Sequence, residues 1–360
     1  MTFRIALVIF CVSLFGQTAV AQHQDLYAGK VLRLIINFAP GGAADTEGRL
    51  FARYIGGLID GKPQVLAQNI AGGGLAATNY VGRAAPDVMI LGYLTGIGAR
   101  AAFEPELFQV PFDKFEMVAY IEGATIYYVR RDVTPRLSQP TDILRAERLF
   151  AGGLSAGSSK DLTMRLMLDM LGVKHGYVTG YSGAGPLRIA FESGEVHMLS
   201  DGRATYNTAI APMVETGSVL PLWVDTGFDG GALYVPKGNH DMDLPPFHEF
   251  YQRVKGIPPS GPLWEAYLAL LASNAMLQRI ITFPPGTSRE YVNALRAGVE
   301  RLNKDPEFTG LTMKTFGNVP EYDSGPEVQG KITRMIQVPD STRDFIKKYI
   351  AVGQNSGVKK

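Results

Sequence analysis

Glycine-rich turns are the part of this sequence best suited to chemistry. Four of them, at 39–42, 72–74, 153–159 and 180–185, each stand between an apolar stretch and a helical pattern. Helix N-termini present unpaired N–H groups and a partial positive charge, so such turns bind anions without lysine or arginine. Glycine also lets a ligand approach the backbone closely. One such turn is ordinary, but four of them in two α/β units predict a cleft that binds a small anion.

A second chemistry is indicated by the segment Gly153-Leu154-Ser155-Ala156-Gly157. It matches G-x-S-x-G, the nucleophile elbow of α/β-hydrolases, and Asp225 with His240 or His248 follows in the right chain order. A pattern with three fixed positions arises easily in a chain with 41 glycines, and both histidines lie in an irregular segment. A secreted serine hydrolase that uses Ser155 is therefore the alternative function.

Two other patterns lack residues that their chemistry requires. Residues 56–62 read G-x-x-x-x-G-K, but Pro63 stands where a P-loop needs serine or threonine. Four residues could ligate a metal but have no recognised ligand spacing: His240, Asp241, Asp243 and His248. We therefore predict no nucleotide site, no metal site and no cofactor.

Composition limits the class of protein. The 360 residues predict about two domains, and 46% hydrophobic with 19% charged residues excludes a disordered chain. Lys and Arg number 35 and Asp and Glu 34, a net charge of +1. Because no basic run could neutralise a row of phosphates, we expect no nucleic-acid partner.

The first 21 residues are typical of a secretory signal peptide. Arg4 precedes an apolar run at 5–15, and Ala19-Val20-Ala21 predicts cleavage before Gln22. The run is shorter than the ~20 residues of a membrane span. Cys11, the only cysteine, lies within it, so the mature chain forms no disulfide. We predict a periplasmic protein.

The glycine turns require strands and helices that alternate along the chain. Residues 31–38 are nearly all apolar, as in a strand covered on both faces, and a helical stripe from Phe51 to Ile59 follows the first turn. A second strand and helix set begins near residue 149. The stretches at 115–130 and 219–224 are predicted to cross between the two sets. The pattern predicts an α/β fold, with a parallel sheet in the first hundred mature residues.

Asp45 and Arg49 lie four residues apart in the first predicted helix. At that spacing they would form an ion pair, and Asp45 would also complement the helix dipole. A structural role is the default interpretation of Asp45, and contact with a ligand is the alternative.

The order of these motifs resembles the receptors of tripartite tricarboxylate transporters, also called Bug receptors. The first half carries the resemblance at Phe38-Ala39-Pro40-Gly41-Gly42, Asp45, Arg49, Gln68-Asn69 and Gly72-Gly73-Gly74. The second half carries it at Gly157-Ser158-Ser159, Leu171-Gly172-Val173, Tyr181, Gly183, Gly194-Glu195-Val196, Asp201 and Pro284-Pro285-Gly286-Thr287. The resemblance spans roughly residues 30 to 350.

The resemblance implies a type II periplasmic binding protein fold, a Venus flytrap of two α/β lobes joined by crossing hinge strands. It implies a first lobe over 22–122 and 224–360 and a second lobe over 123–223, after the signal peptide at 1–21. The region 226–280 is atypical for the family.

It also implies that backbone N–H groups, small hydroxyls and bridging waters hold the ligand's carboxylate. The implied binding residues of the first lobe are Phe38, Ala39, Pro40, Gly41, Gly42, Ala43, Asp45, Asn69, Gly72, Gly73 and Thr95. Those of the second lobe are Ser155, Gly157, Ser158, Ser159, Tyr181, Ser182, Gly183, Ala184 and Asp201.

The implied function is that of a monomeric, non-catalytic solute-binding protein. It would deliver a small organic acid to a permease with a small and a large membrane subunit. A receptor that reports its ligand to a sensor kinase is a further alternative. Gln68, Val88 and Ser182 depart from the residues usual in the family, and these departures leave the far end of the ligand open.

Overall fold

The computed structural model describes residues 26–72, 74–86, 89–123, 125–181, 183–236, 242–275, 277–356 and 358–359. Several predictions from the sequence lie outside these residues and stay predictions: the signal peptide with Cys11 and its cleavage site, the binding residues Gly73 and Ser182, and the metal candidates His240 and Asp241. No helix among the described residues is both long enough and apolar enough to cross a membrane.

The chain alternates strands and helices, as the sequence predicts. The strands are β1 (Val31–Ile36), β2 (Gln64–Asn69), β3 (Ile90–Thr95), β4 (Glu116–Ile121), β5 (Thr125–Arg130), β6 (Leu149–Gly152), β7 (His175–Thr179), β8 (Met198–Gly202), β9 (Val219–Val224), β10 (Gly227–Asp229), β11 (Ala232–Tyr234), β12 (Arg279–Phe283), β13 (Tyr322–Asp323) and β14 (Val358–Lys359).

The helices cover the faces of the sheets. They are α1 (Ala43–Leu58), α2 (Leu75–Gly82), α3 (Gly98–Phe103), α4 (Ser159–Leu171), α5 (Ala184–Glu192), α6 (Arg203–Thr205), α7 (Ala211–Glu215), α8 (Phe247–Lys255), α9 (Pro262–Leu270), α10 (Arg289–Leu302), α11 (Pro306–Phe316), α12 (Val328–Met335) and α13 (Asp340–Ser356). Short π-helical turns lie at Tyr206–Ile210 and Leu271–Ala275.

The first lobe is built on a six-stranded sheet in the order β13-β4-β12-β3-β1-β2. β1 runs parallel to β2 and β3, whereas β12 runs antiparallel to β3 and β4. Leu34 packs into the core on one face of this sheet and Ile35 into the core on the other. The apolar β1 is therefore covered on both faces, as predicted.

The second lobe is built on a six-stranded sheet in the order β14-β7-β6-β8-β5-β9. The chain crosses from the first sheet to the second between β4 and β5, where the sequence predicts a crossing. Helices α8 and α9 follow β9 yet pack on this second sheet. Phe247 and Phe250 of α8 pack against Trp223 of β9, and the Phe250 and Trp223 ring centroids lie 4.8 Å apart. Tyr267 of α9 packs in turn against Phe247. The residue boundaries of the lobes stay a prediction.

Candidate functional site

The glycine turns of each lobe come together at one edge of its sheet. In the first sheet Ile36 lies in register with Asn69 on β2 and with Tyr93 on β3, so β1, β2 and β3 end side by side. In the second sheet Gly152 at the end of β6 lies in register with Val178 on β7. Ligands of open α/β sheets bind at this carboxyl edge of the strands.

In the first lobe, Asp45 holds the turn at 38–42 in place. It is the third residue of α1, and its Oδ2 accepts a hydrogen bond from the Gly41 backbone N–H at 2.9 Å. Its Oδ1 accepts from Arg49 Nε and from Asn69 Nδ2, both at 2.8 Å. Burial alone would raise the pKa of Asp45, but these hydrogen bonds and the Arg49 charge together lower it.

Two asparagines fix the neighbouring strand ends. Asn69 Nδ2 also donates to the Phe38 carbonyl at 2.9 Å, which ties the turn to the end of β2. Asn37, fully buried, donates to the Thr95 carbonyl and accepts from the Thr95 backbone N–H, both at 2.9 Å. The Thr95 hydroxyl is buried without a hydrogen-bond partner. It is therefore a free polar group at a predicted binding position.

In the second lobe, Asp161 repeats the arrangement of Asp45. It is the third residue of α4, and its Oδ2 accepts from the Ser155 backbone N–H and from Tyr177 Oη, both at 3.0 Å. A Cβ at Gly153 would lie 2.3 Å from this oxygen, so only glycine allows the close approach. Burial raises the pKa of Asp161 to about 6, although its hydrogen bonds lower it.

The other predicted residues of the second lobe lie at the starts of its helices or in the turns that precede them. Ser158 and Ser159 are the N-cap and first residue of α4, and Gly183 and Ala184 are those of α5. Tyr181 Oη donates to Glu195 Oε1 at 2.5 Å, so this hydroxyl already has a partner.

Asp201, near the end of β8, lies among three donors. It accepts a hydrogen bond from Tyr128 Oη at 2.6 Å. Arg188 Nη2 lies 3.4 Å from Oδ2, and Lys160 Nζ lies 3.9 Å from Oδ1. Lys160 and Arg188 were not among the residues predicted from the sequence.

Among the described residues, contacts between the lobes include the hinge, the rim and helix α3, which follows β3 of the first sheet but whose Phe103 packs in the core of the second lobe. Gln278, just before β12, packs against Gly123 after β4 and Gly202 at the end of β8: a Cβ added at these glycines would lie 2.5 Å and 3.0 Å from its side chain. Asn207 of the second lobe donates to the Gly317 carbonyl, which follows α11 of the first lobe, at 3.1 Å.

The alternative chemistries lack the required geometry among the described residues. The Asp225 carboxylate accepts from Tyr127 Oη at 3.0 Å and from Tyr267 Oη at 3.3 Å, and no hydrogen bond joins it to His248. His248 Nδ1 is buried without a partner. The Asp–His pair of a hydrolase is therefore not formed with His248. The P-loop-like residues 56–62 lie at the C-terminal end of α1, where no strand precedes them.

Sequence reasoning missed Asn37, Asp161, Lys160 and Arg188. A signal for Asp161 was present, because an aspartate stands at the third helical position after a glycine turn in both lobes. Asn37 could have been noticed as an amide directly after an apolar strand. Lys160 and Arg188 had no local signal, since they lie 28 positions apart and meet only at Asp201.

We expect Asp45→Ala to lower the free energy of unfolding by about 1–3 kcal/mol, because the Gly41 N–H and the Asn69 amide lose their acceptor. Urea unfolding followed by circular dichroism measures this. Glu104→Ala is the control, because it also removes the i,i+4 ion-pair partner of an arginine, Arg100. Glu104 is 37% exposed, so this variant should lower the free energy of unfolding by less than ~1 kcal/mol. Equal losses in the two variants would contradict the positioning role of Asp45.

Known proteins resemble this chain in sequence and in fold. No family model matches the chain. A UPF0065 protein from the TAR-I ttuE-ttuC' intergenic region of Agrobacterium vitis is 32% identical over 198 residues, which are 53% of this chain and 56% of that relative. The match therefore spans little more than half the length of that curated relative.

Two solved structures share the fold over most of the chain. R. palustris Rpa4515, solved with adipate, superimposes with a TM-score of 0.62 at 18% identity and covers 92% of this chain and 99% of its own. The periplasmic binding protein BugD gives a TM-score of 0.61 at 18% identity and covers 92% and 100%. The two-lobe periplasmic binding fold is confirmed, and so is the resemblance to Bug-type receptors.

Proposed function

We propose that this chain is a periplasmic solute-binding receptor that captures a small organic acid between its lobes. It would deliver the acid to a tripartite tricarboxylate-type permease with a small and a large membrane subunit, without catalysis. One observation carries the proposal: in each lobe a buried aspartate at the third position of a helix, Asp45 or Asp161, holds the glycine turn that precedes the helix.

This arrangement prepares the turns for an anion before the ligand arrives. Asp45 binds the Gly41 N–H of the first-lobe turn, and Asp161 binds the Ser155 N–H of the second-lobe turn, which orders each loop. The free N–H groups at the start of α1 and α4 keep the partial positive charge of the helix N-terminus. A carboxylate between the lobes can therefore be bound from both sides, and little conformational entropy of the loops is lost on binding.

The energies are sufficient for micromolar binding. A micromolar dissociation constant needs about −8.2 kcal/mol net. Charge-assisted hydrogen bonds contribute about 1.5–3 kcal/mol each, against an association cost of at least about 4 kcal/mol. Some four to six donors suffice, and two turns, the Thr95 hydroxyl and the hydroxyls of Ser155 and Ser159 supply that number.

We propose two roles for the residues predicted from the sequence. The turns at 38–43, 72–74, 155–159 and 181–184, with Thr95, contact the ligand. Asp45 and Asn69 position the first turn, since the two Asp45 oxygens already accept three hydrogen bonds.

Thermal unfolding of residues 22–360 against mono-, di- and tricarboxylates, aromatic acids and amino acids tests the receptor function. At about 100 times its Kd a ligand adds about 2.7 kcal/mol, which raises the Tm by several degrees. If no acid raises the Tm and mass spectrometry of the denatured protein finds no co-purified acid, the receptor function is wrong.

A fluorophosphonate probe tests the hydrolase alternative. We expect no labelling of Ser155, because no Asp–His pair forms with His248. Labelling that disappears in Ser155→Ala would overturn the non-catalytic assignment. Uptake of the identified acid by cells with and without this protein separates transport from signalling to a sensor kinase.

A further inference from the structure

We propose that Lys160 and Arg188 bind a second carboxylate of the solute, so that the receptor selects dicarboxylates over monocarboxylates and amino acids of the same length. This inference rests on the proposed receptor function and concerns the end of the solute that lies away from the glycine turns.

Both cations lie at the interlobe edge of the second sheet. Asp201, which they share, is one residue before the end of β8, and Gly202 lies in register with Thr125, the first residue after the crossing between lobes. Gly202 also packs against Gln278 at the hinge. The pair therefore lies where the lobes meet.

Each cation is also next to a turn proposed to bind the first carboxylate. Lys160 is the second residue of α4, directly after the serines at 158–159. Arg188 lies just over one turn into α5, and long helical side chains point toward the helix N-terminus, here toward Gly183. A short solute held by these turns places its other end beside the two cations.

Asp201 does not saturate these cations. Its shortest hydrogen bond, 2.6 Å, comes from Tyr128, whereas Arg188 Nη2 lies at 3.4 Å and Lys160 Nζ at 3.9 Å. Arg188 Nη1 is buried and has no hydrogen-bond partner. An unpaired guanidinium N–H out of contact with water is costly, and a carboxylate oxygen is the acceptor that it prefers.

The local charge favours an anion at this point. Within ion-pair distance, two cations face one carboxylate, Asp201. The buried carboxylates Asp161 and Asp225 lie nearby and accept hydrogen bonds from tyrosines. The Lys160 charge acts on Asp225 and lowers its pKa, but burial is the larger cause and raises that pKa, which favours the neutral form of Asp225. A second carboxylate of the solute completes the charge balance, whereas an ammonium group would be repelled by both cations.

Calorimetric titration with length-matched solutes tests the proposal. The pairs are succinate with butyrate, glutarate with valerate and adipate with hexanoate, and 6-aminohexanoate supplies the cationic end group. We expect the wild type to bind at least one diacid at least tenfold more tightly than its monoacid, and to bind 6-aminohexanoate more weakly than hexanoate.

Neutral variants identify the residues responsible. Lys160→Gln and Arg188→Gln should each weaken diacid binding about tenfold and change monoacid binding less than twofold. Arg188→Lys keeps the charge and should retain part of the preference. Lys174→Gln removes an exposed cation of the same lobe and should change nothing.

The outcomes separate this proposal from the receptor function. If no acid of any class binds, the receptor function fails and the present inference fails with it. If acids bind but the wild type does not distinguish diacids from monoacids, or if Lys160→Gln and Arg188→Gln keep the wild-type ratio, only the present inference is wrong.

Discussion

Glu47→Ala is expected to lower the free energy of unfolding by about 3–5 kcal/mol, because it leaves Arg279 buried without its carboxylate. Arg279 Nε lies 2.6 Å from Glu47 Oε2, and the two side chains are only 8% and 12% exposed. Burial would lower the pKa of Arg279, but the Glu47 charge raises it above its usual value.

This ion pair also supports the first-lobe site. Glu47 lies two residues after Asp45 on α1, and Arg279 is in register with Thr95 at the end of β3. The pair therefore links the helix behind the glycine turn to the sheet edge. We expect Glu47→Ala to weaken acid binding as well.

Urea unfolding followed by far-UV circular dichroism measures the loss. Tryptophan fluorescence reports the second lobe, since Trp223 and Trp264 both pack in its core. Asp60→Ala is the control, because it breaks an ion pair with Arg301 in which Asp60 is 74% exposed. A double variant, Glu47→Leu with Arg279→Met, should regain most of the stability. A loss below ~1 kcal/mol in Glu47→Ala would contradict the prediction.

Asp225→Asn is expected to remove much of the pH dependence of the second lobe's stability. Asp225 follows β9, is 3% exposed and lies between the hydroxyls of Tyr127 and Tyr267. Burial raises its pKa from 3.8 to about 7, although the tyrosine hydrogen bonds lower it.

Between about pH 4 and pH 7 the folded protein keeps a proton on Asp225 that the unfolded chain has already released. Folding therefore takes up a proton in this range, and the free energy of unfolding falls as the pH rises. One pKa unit corresponds to about 1.36 kcal/mol, so the contribution of Asp225 to the free energy of unfolding falls by roughly 2–3 kcal/mol from pH 5 to pH 8. Urea unfolding followed by tryptophan fluorescence at pH 5 and pH 8 measures this change in the free energy of unfolding. If the change is as large in Asp225→Asn as in the wild type, the prediction is wrong.

The fold was largely predictable from the sequence because its signals are local. The apolar run at β1, the glycine turn after it and the stripe of α1 are neighbours in the chain, and burial of both faces of a parallel strand leaves a continuous apolar run. The same combination near residue 149 predicts the second unit. The crossing between the lobes could be placed because its long extended stretch is interrupted by glycine.

From the sequence alone we could predict that an anion would bind at the glycine turns that precede helices in both lobes. The tertiary structure alone decided which side chains serve those turns. Asn69 reaches Asp45 across 24 positions, Tyr128 reaches Asp201 across 73, and Asn207 reaches Gly317 across 110. Such partners leave no local pattern in the sequence, because strand register and lobe packing bring them together. The energy of a charged group also depends on its burial and its neighbours, which only the packing sets.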